Sequence, residues 1–384
     1  MALPHIRVTG SPAACGEAYG AAAAGLVAAN LDLYERRFRD EAGLDAAAVK
    51  AAGAAFRATT RALFPRIANM LDATAAGASV DADAVYAVNA RTELIYGGAP
   101  DGPAGGCTAV GVLGTHTASG HLLLAQNWDW HPDQRGTMVL LDTTDEQGHR
   151  VVALAEAGML AKTGLNSAGV GILVNMLGTD RDGLSRGSGV AGVPYHVVLR
   201  AALESDNLSR ALRAVVPAPR NASLNLMVGQ SGPEGGELID LELVPDDAAW
   251  LHPVEGVLTH ANHVEAALPV YDTIKDTGGS SLYRSARARR LLAPAAEARK
   301  VTEDDLIALL RDHQSAPSAI CRHVDERDPL PLRSETVYSV VLDLDDTRFG
   351  LAEGPPCGHE YGWLPLDDGP PTERSAGAAV DLRR

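Results

Sequence analysis

From about residue 11 to 98 the apolar positions recur at three- and four-residue spacing, as in GEAYGAAAAGLVAANLDLYERRF and DADAVYAVNARTELIYG. That period predicts a first quarter made mostly of helix. It stops at residues 97–106, GGAPDGPAGG, where five glycines and two prolines leave almost no side chain to pack, so a linker or exposed loop is expected there. Beyond it the pattern changes to short apolar runs, CTAVGVL, HLLLAQNW, TMVLLDTT, VVALAEA and GVGILVNML, separated by turn segments such as THTASG and HPDQRG. These predict a sheet region. Helical spacing returns at about 194–204, 207–215, 280–293 and 302–312, with strands at about 222–229 and 236–243. A last pair of strands, ETVYSVVLDL and TRFGLAE, follows. Helices first, strands next and a mixture last predict an α+β fold with antiparallel or mixed sheet, because regular strand–helix alternation is missing. The tail from about 367, DDGPPTERSAGAAVDLRR, is polar and rich in proline and glycine and is expected to be disordered.

Composition narrows the functional classes. The 384 residues are 46% hydrophobic and 21% charged with a mean hydropathy near zero, the profile of a soluble globular protein. The net charge of -16 argues against a nucleic-acid partner, since phosphate binding needs clustered Lys and Arg. The basic stretch RSARARR, 284–290, reads as a solvated helix face with one or two inward arginines. No signal-peptide pattern and no window of 18 apolar residues occurs, so a cytoplasmic protein without a membrane partner is expected.

The cysteines at 15, 107, 321 and 357 form no CxxC pair, and structural disulfides are not expected. Cys321 and Cys357 each precede a histidine by two positions, His323 and His359, but this lacks the usual zinc-loop spacing, so no metal is expected and the thiols read as buried or half-buried. Dinucleotide, Walker, GxSxG and HExxH patterns are missing, and no nucleotide cofactor is indicated. What remains is Cys107, placed directly after a glycine-rich segment and at the start of a strand. A nucleophile suits that position, because glycines leave the backbone approachable while the strand holds the thiol. A small core hydrophobe suits it too.

Several segments in order carry more information than that residue alone. GCTAVGV, QNWDW at 126–130 and GLNSAGVGI at 164–172 resemble the acyl-coenzyme A:6-aminopenicillanic acid acyltransferases, the penicillin acyltransferase family of cysteine N-terminal-nucleophile hydrolases. RVTGSPAACGEAYG, NARTEL, THANHV, SSLYR, AICRHVD and ETVYSVVLDL extend the likeness over about residues 7 to 365. The resemblance implies a four-layer αββα sandwich, the N-terminal-nucleophile hydrolase fold, made as a precursor that cuts itself between Gly106 and Cys107. Residues 1–106 would be released as a separate, mostly helical chain paired with a catalytic chain, 107–366, in one αββα unit.

The same resemblance implies site residues. Cys107 would be the nucleophile and its freed α-amine the base; that amine titrates near neutrality, so no histidine is required. Asp129 matches the aspartate that holds the amine, and Arg284 the arginine beside the nucleophile, with Tyr283 where relatives carry serine and with Arg287, Arg289 and Arg322 as fallbacks. Asn225 and Asn175 match oxyanion donors. Thr108, Asn127 and Trp128 would form pocket wall and support. Gln126, where bile salt hydrolases carry arginine, disfavours a bile-salt substrate. Asn262 reads as structural, and His260 and His263 have no assigned role. The expected activity is hydrolysis or transfer of an amide-linked acyl group through an acyl-thioester. The alternative is an N-acyltransferase that takes a coenzyme A thioester as co-substrate, without any other cofactor; a non-catalytic binding protein on the same scaffold is the third reading. Partners would be the small-molecule amide or acyl-CoA and the chain's own N-terminal piece, with homo-oligomerisation left open.

Overall fold

In the computed structural model, which describes residues 3–97, 106–183, 191–277 and 279–365, the first quarter begins with an unforeseen strand, β1 (His5–Thr9), and then turns helical. Its helices are α1 (Pro12–Ala22), α2 (Ala24–Asp40), α3 (Ala46–Leu63), α4 (Pro65–Ala78), α5 (Ala82–Asn89) and α6 (Arg91–Tyr96). Ser11, Asp45 and Asp81 start α1, α3 and α5 by accepting backbone N–H groups of the first turn, the usual remedy for donors that have no partner inside the helix. Helices α1 and α4 lie unusually close. A Cβ on Gly16 or Gly20 would fall 2.2 or 2.1 Å from a carbonyl oxygen of α4, so only glycine permits the approach.

The strands that follow are β2 (Thr108–Val112), β3 (Leu123–Trp130), β4 (Met138–Thr144), β5 (Arg150–Glu156), β6 (Thr163–Asn166) and β7 (Val170–Met176). After α7 (Tyr195–Leu203) and α8 (Leu208–Val215) come β8 (Leu224–Gln230), β9 (Glu237–Val244), β10 (Asp247–Leu251) and β11 (Val257–His260). Helices α9 (Ile274–Thr277), α10 (Ser281–Glu297) and α11 (Glu303–Leu310) precede β12 (Glu335–Asp343), β13 (Arg348–Ala352) and β14 (Gly362–Pro365). They form two sheets, one of eight strands in the order β1-β4-β5-β6-β7-β8-β9-β10 and one of six in the order β11-β2-β3-β12-β13-β14. Apart from the parallel β1–β4 pair, the strand pairs are antiparallel.

Side-chain alternation assigns each strand face to a layer. On β4 and β5, Val139, Leu141, Val151 and Ala153 pack under the N-terminal helices and α7, whereas Leu140, Val152 and Leu154 point at the other sheet. On the six-stranded sheet Leu124 and Leu342 meet that inter-sheet core, and Val110, Ala125 and Val341 pack under Ala288 and Leu292 of α10 and Leu306 and Leu309 of α11. The result is helix, sheet, sheet, helix: the expected four-layer αββα sandwich. Strands covered on both faces read as continuous apolar runs, which is why β5 and β7 stand out in the sequence.

β1 is an edge strand of the eight-stranded sheet and α1–α6 help cover it, so the segment before the linker and the rest of the chain share one core. The expected tail from about 367 and most of the glycine-rich linker, 98–105, lie outside the described residues. Among the described residues, no helix is long and apolar enough to cross a membrane.

Candidate active site

The middle of the six-stranded sheet brings together several of the candidate residues. Gly106 and Cys107 enter β2, and Thr108 pairs with Asn127 on β3, while Asp129 of β3 pairs with Thr336 on β12. Alternation on β3 turns Trp128 and Trp130 toward the inter-sheet core and Asn127 and Asp129 toward the α10–α11 side. Cys107, Trp128, Asp129, Lys162, Tyr195 and Asn262 line one pocket, together with Arg91.

Arg284, in the first turn of α10, is 1% exposed, and each of its three nitrogens donates locally. Its Nη1 donates to the Cys107 carbonyl oxygen and, at 2.7 Å, to Thr108 Oγ1; Nη2 donates to Asn262 Oδ1 at 2.8 Å and Nε to Ser280 Oγ at 3.0 Å. Burial, then the like charge of Arg322, pushes its pKa down to about 10, which still leaves it a cation at neutral pH. Gly106 lies against both guanidinium groups: a Cβ there would stand 2.8 Å from Nη2 of Arg284 and 2.8 Å from Nη2 of Arg322.

Asp129 is fully buried and bound through both oxygens, Oδ1 accepting from Thr336 Oγ1 at 2.7 Å and Oδ2 from Arg322 Nε at 3.2 Å. Burial pushes its carboxyl pKa up to about 6 against the pull of Arg322 and Arg284. Burial also raises the Cys107 thiol, and the Asp129 charge adds to that; the Lys162 cation, the backbone N–H of Asp129 and Arg284 work in the opposite direction.

A buried charge network closes the other wall. Glu156 Oε1 accepts from Arg91 Nη2 at 2.9 Å and lies 3.5 Å from Lys162 Nζ, and the Tyr34 hydroxyl donates to Oε2. Lys162 Nζ sits 4.0 Å from the Trp128 ring centre and Arg91 Cζ 4.4 Å from that of Trp130, so both cations rest on aromatic faces. Burial and the Arg91 charge push Lys162 down to about 7.

The pocket thus unites Cys107, Trp128 and Asp129, while Gly106, Thr108 and Arg284 adjoin Cys107 without lining it. Asn127 is elsewhere: its amide donates to the Leu310 and Ile320 carbonyls at 2.8 Å each, tying the end of α11 to the sheet. Asn175 and Asn225 are neighbours across β7 and β8 and point between the sheets. Asn175 accepts from Gln126 Nε2 at 2.9 Å and donates to Asn225 Oδ1 at 3.1 Å and to the His260 carbonyl at 3.2 Å, while Asn225 donates to the Leu241 carbonyl at 3.4 Å. His260 lies under them, 2.9 Å from Glu242 Oε1. Neither asparagine lines the pocket; Asn262 does, donating to the Met176 carbonyl at 3.0 Å.

Of the arginines held as fallbacks, Arg322 is the one at the site, and Arg287 pairs with Asp312 instead. Lys162 and Tyr195 carry no sequence signal of their own, each being a single polar residue inside a segment without a motif, and Arg91 lay in the recognised segment NARTEL without being singled out. Asn262 stood in a recognised segment, THANHV, where its type was the only clue.

The model of the acyl-coenzyme A:6-aminopenicillanic acid acyl-transferase family matches residues 115–356, a span that holds Asp129, Lys162, Asn262, Arg284 and Arg322 and begins after Cys107. Over 347 residues, 88% of this chain and 89% of the relative, the sequence is 26% identical to the 40 kDa form of acyl-coenzyme A:6-aminopenicillanic-acid-acyltransferase from Emericella nidulans. Among solved structures, a mutant conjugated bile acid hydrolase from Clostridium perfringens is similar with a TM-score of 0.47 and 12% identity, covering 71% of this chain and 95% of that one. Penicillin V acylase from Agrobacterium tumefaciens gives a TM-score of 0.44 and 13% identity over 68% of this chain and 86% of that one.

Proposed function

Because the chain belongs to the acyl-coenzyme A:6-aminopenicillanic acid acyl-transferase family, we propose that it is a self-processing cysteine amidohydrolase or acyltransferase whose nucleophile is Cys107. The observation that carries this reading is the meeting of Cys107 and Asp129 in one pocket, with Arg284 bonded to the Cys107 carbonyl and Gly106 pressed against two guanidinium groups.

In maturation the Cys107 sulfur attacks the Gly106 carbonyl carbon. The carbon–sulfur bond forms as the peptide carbon–nitrogen bond breaks, and the thiol proton ends on the departing amine. Arg284 and Arg322 lie against Gly106, and two cations beside the scissile bond favour the negative charge that develops there. Water then hydrolyses the thioester, leaving residues 1–106 as a carboxylate and Cys107 with a free thiol and α-amine. Because β1 and α1–α6 are built into the shared core, the first piece stays bound to the second.

In turnover the new α-amine takes the thiol proton, the sulfur attacks the substrate carbonyl, and the ammonium returns its proton to the leaving amine. Asp129 orients and balances that ammonium, and Lys162 and Arg284 favour the thiolate. The amide of Asn262, which lines the pocket and is held by Arg284, serves as the side-chain donor to the substrate oxyanion in this reading. Intact-mass spectrometry tests the nucleophile and the maturation together. Wild-type protein is expected to separate into 1–106 and a chain of 278 residues (384 less 106) starting at Cys107, and Cys107→Ala to remain whole. Wild-type protein that stays whole on prolonged incubation, or Cys107→Ala protein that cuts at the same bond, contradicts the reading.

The likeness to the Emericella nidulans acyltransferase along most of both chains favours a second form of the reaction, in which the acyl group arrives as a coenzyme A thioester and an amine resolves the acyl-enzyme. Incubation with an acyl-thioester and an amine separates the two: new amide marks transfer, free acid alone marks hydrolysis.

A further inference from the structure

Away from the acyl-transfer pocket, four donor side chains from three segments converge on one point near the surface. His313 follows α11, Cys321 and His323 lie between α11 and β12, and Cys357 follows β13; their ligand atoms all lie within 4.8 Å of one another. His323 Nε2 is 3.1 Å from His313 Nε2, 3.4 Å from Cys357 Sγ and 3.7 Å from Cys321 Sγ. An imidazole nitrogen carries either one N–H or one lone pair, in the ring plane, and satisfies one hydrogen-bond partner well, not three. A tetrahedral ion explains all three contacts at once. With metal–sulfur bonds of about 2.3 Å and metal–nitrogen bonds of about 2.0–2.1 Å, the edges of the tetrahedron are about 3.3 Å between nitrogens and about 3.6 Å between nitrogen and sulfur.

The geometry points to a structural zinc site formed by His313, Cys321, His323 and Cys357. Two thiolates and two imidazoles are a soft donor set that suits Zn2+ and not Ca2+ or Mg2+, and four protein ligands leave no open position for catalysis. On binding, the two thiols release their protons to solvent and both histidines coordinate as neutral rings, so the complex carries no net charge and no electron moves. The surroundings hold the ligands in place: the Cys321 N–H donates to the Asp312 carbonyl at 2.9 Å, and Asp312 is gripped by Arg287 of α10. His359, the partner that sequence spacing gave Cys357, is instead turned away and donates from Nδ1 to the Pro355 carbonyl. Arg322 lies between two of the ligands, so the ion clamps the segment that carries this guanidinium to Asp129 and Ser280.

The site does not depend on the acyl chemistry, and its test does not use it. Full-length protein incubated with zinc chloride and desalted is expected to retain about one zinc per chain by elemental mass spectrometry. Cys321→Ser/Cys357→Ser protein should fall to background, whereas His359→Ala keeps its zinc. Cobalt exchanged into wild-type protein should show thiolate-to-cobalt charge-transfer absorption, a readout that needs no variant to fold. Wild-type protein that holds zinc only at background, cobalt-treated protein without thiolate bands, full metal content in the double variant, or a Cys321–Cys357 disulfide in protein kept under reducing conditions would each overturn the site.

Discussion

Arg322 and Asp129, separated by 193 residues in sequence, meet with Nε 3.2 Å from Oδ2 in a place where Asp129 has no exposure to water. The pair is a buried ion pair whose value lies less in net stability than in what happens when one member is lost. Removing Arg322 leaves a carboxylate with one hydroxyl partner, and an uncompensated buried charge costs about 3–5 kcal/mol. Arg322→Met is therefore expected to lose about that much stability in denaturant unfolding, and Asp129→Asn in the same chain to recover part of it. Purely additive losses would show that the two side chains are not coupled.

Gly106 predicts a steric requirement on maturation. A methyl group there meets Arg284 and Arg322 at 2.8 Å each, and any shift of Arg284 would strain the bonds that each of its three nitrogens makes. In Gly106→Ala the appearance of the chain that begins at Cys107, followed by intact mass over time, should slow on the order of 10²-fold. Gly136→Ala is the control, since a Cβ at Gly136 meets nothing within 4 Å. Equal cleavage rates in the two variants would remove the guanidinium contact from the account.

Asn262 and Asn175 should separate by kind of damage. Asn262→Ala removes the amide in the pocket and is expected to lower kcat on the order of 10²–10³-fold with the fold kept. Asn175→Leu strands the His260 carbonyl and the Asn225 side chain between the sheets, at about 1–3 kcal/mol for each unsatisfied group. Paired kinetics and thermal unfolding distinguish them. A folded, cleaved Asn175→Leu enzyme with a collapsed kcat would return the oxyanion role to that residue.

The Glu156 network makes stability depend on acid. Burial opposes the ionised carboxylate, but Arg91 and Lys162 outweigh it and hold the folded pKa at about 2, below the usual glutamate value of about 4.3. A depressed folded pKa means that the contribution is fully present above about 4.3 and is lost as the pH falls toward about 2. Glu156→Gln is expected to melt well below wild type at neutral pH, and the gap between the two melting curves should narrow through that window. A gap that stays constant with pH would assign the loss to packing alone.

The helical first quarter and the long strands were legible because periodicity is a local property. Apolar spacing of three and four residues marks α2 and α3, and strands covered on both faces read as unbroken runs. Five-residue β1 and four-residue β6 and β11 were missed because so few positions express no period. Cys107, Asp129 and Arg284 could be singled out only because the segments around them resemble a family in order; composition alone left Cys107 as one thiol among four.

What the sequence by itself determined is the alternation of side chains along each strand and helix, and hence which residues share a face. Which faces meet was decided by tertiary structure. Antiparallel pairing of β3 with β2 and β12 places Asp129 beside Cys107 and Thr336, and the packing of α10 on that sheet turns Arg284 inward while its neighbour Tyr283 reaches Gln314 and Ser318. Lys162 and Asn262 join the pocket, Arg322 reaches its Asp129, and Asn175 stays outside it, through contacts between segments far apart in the chain. Such contacts follow from burying whole layers at once, so no local pattern could announce them.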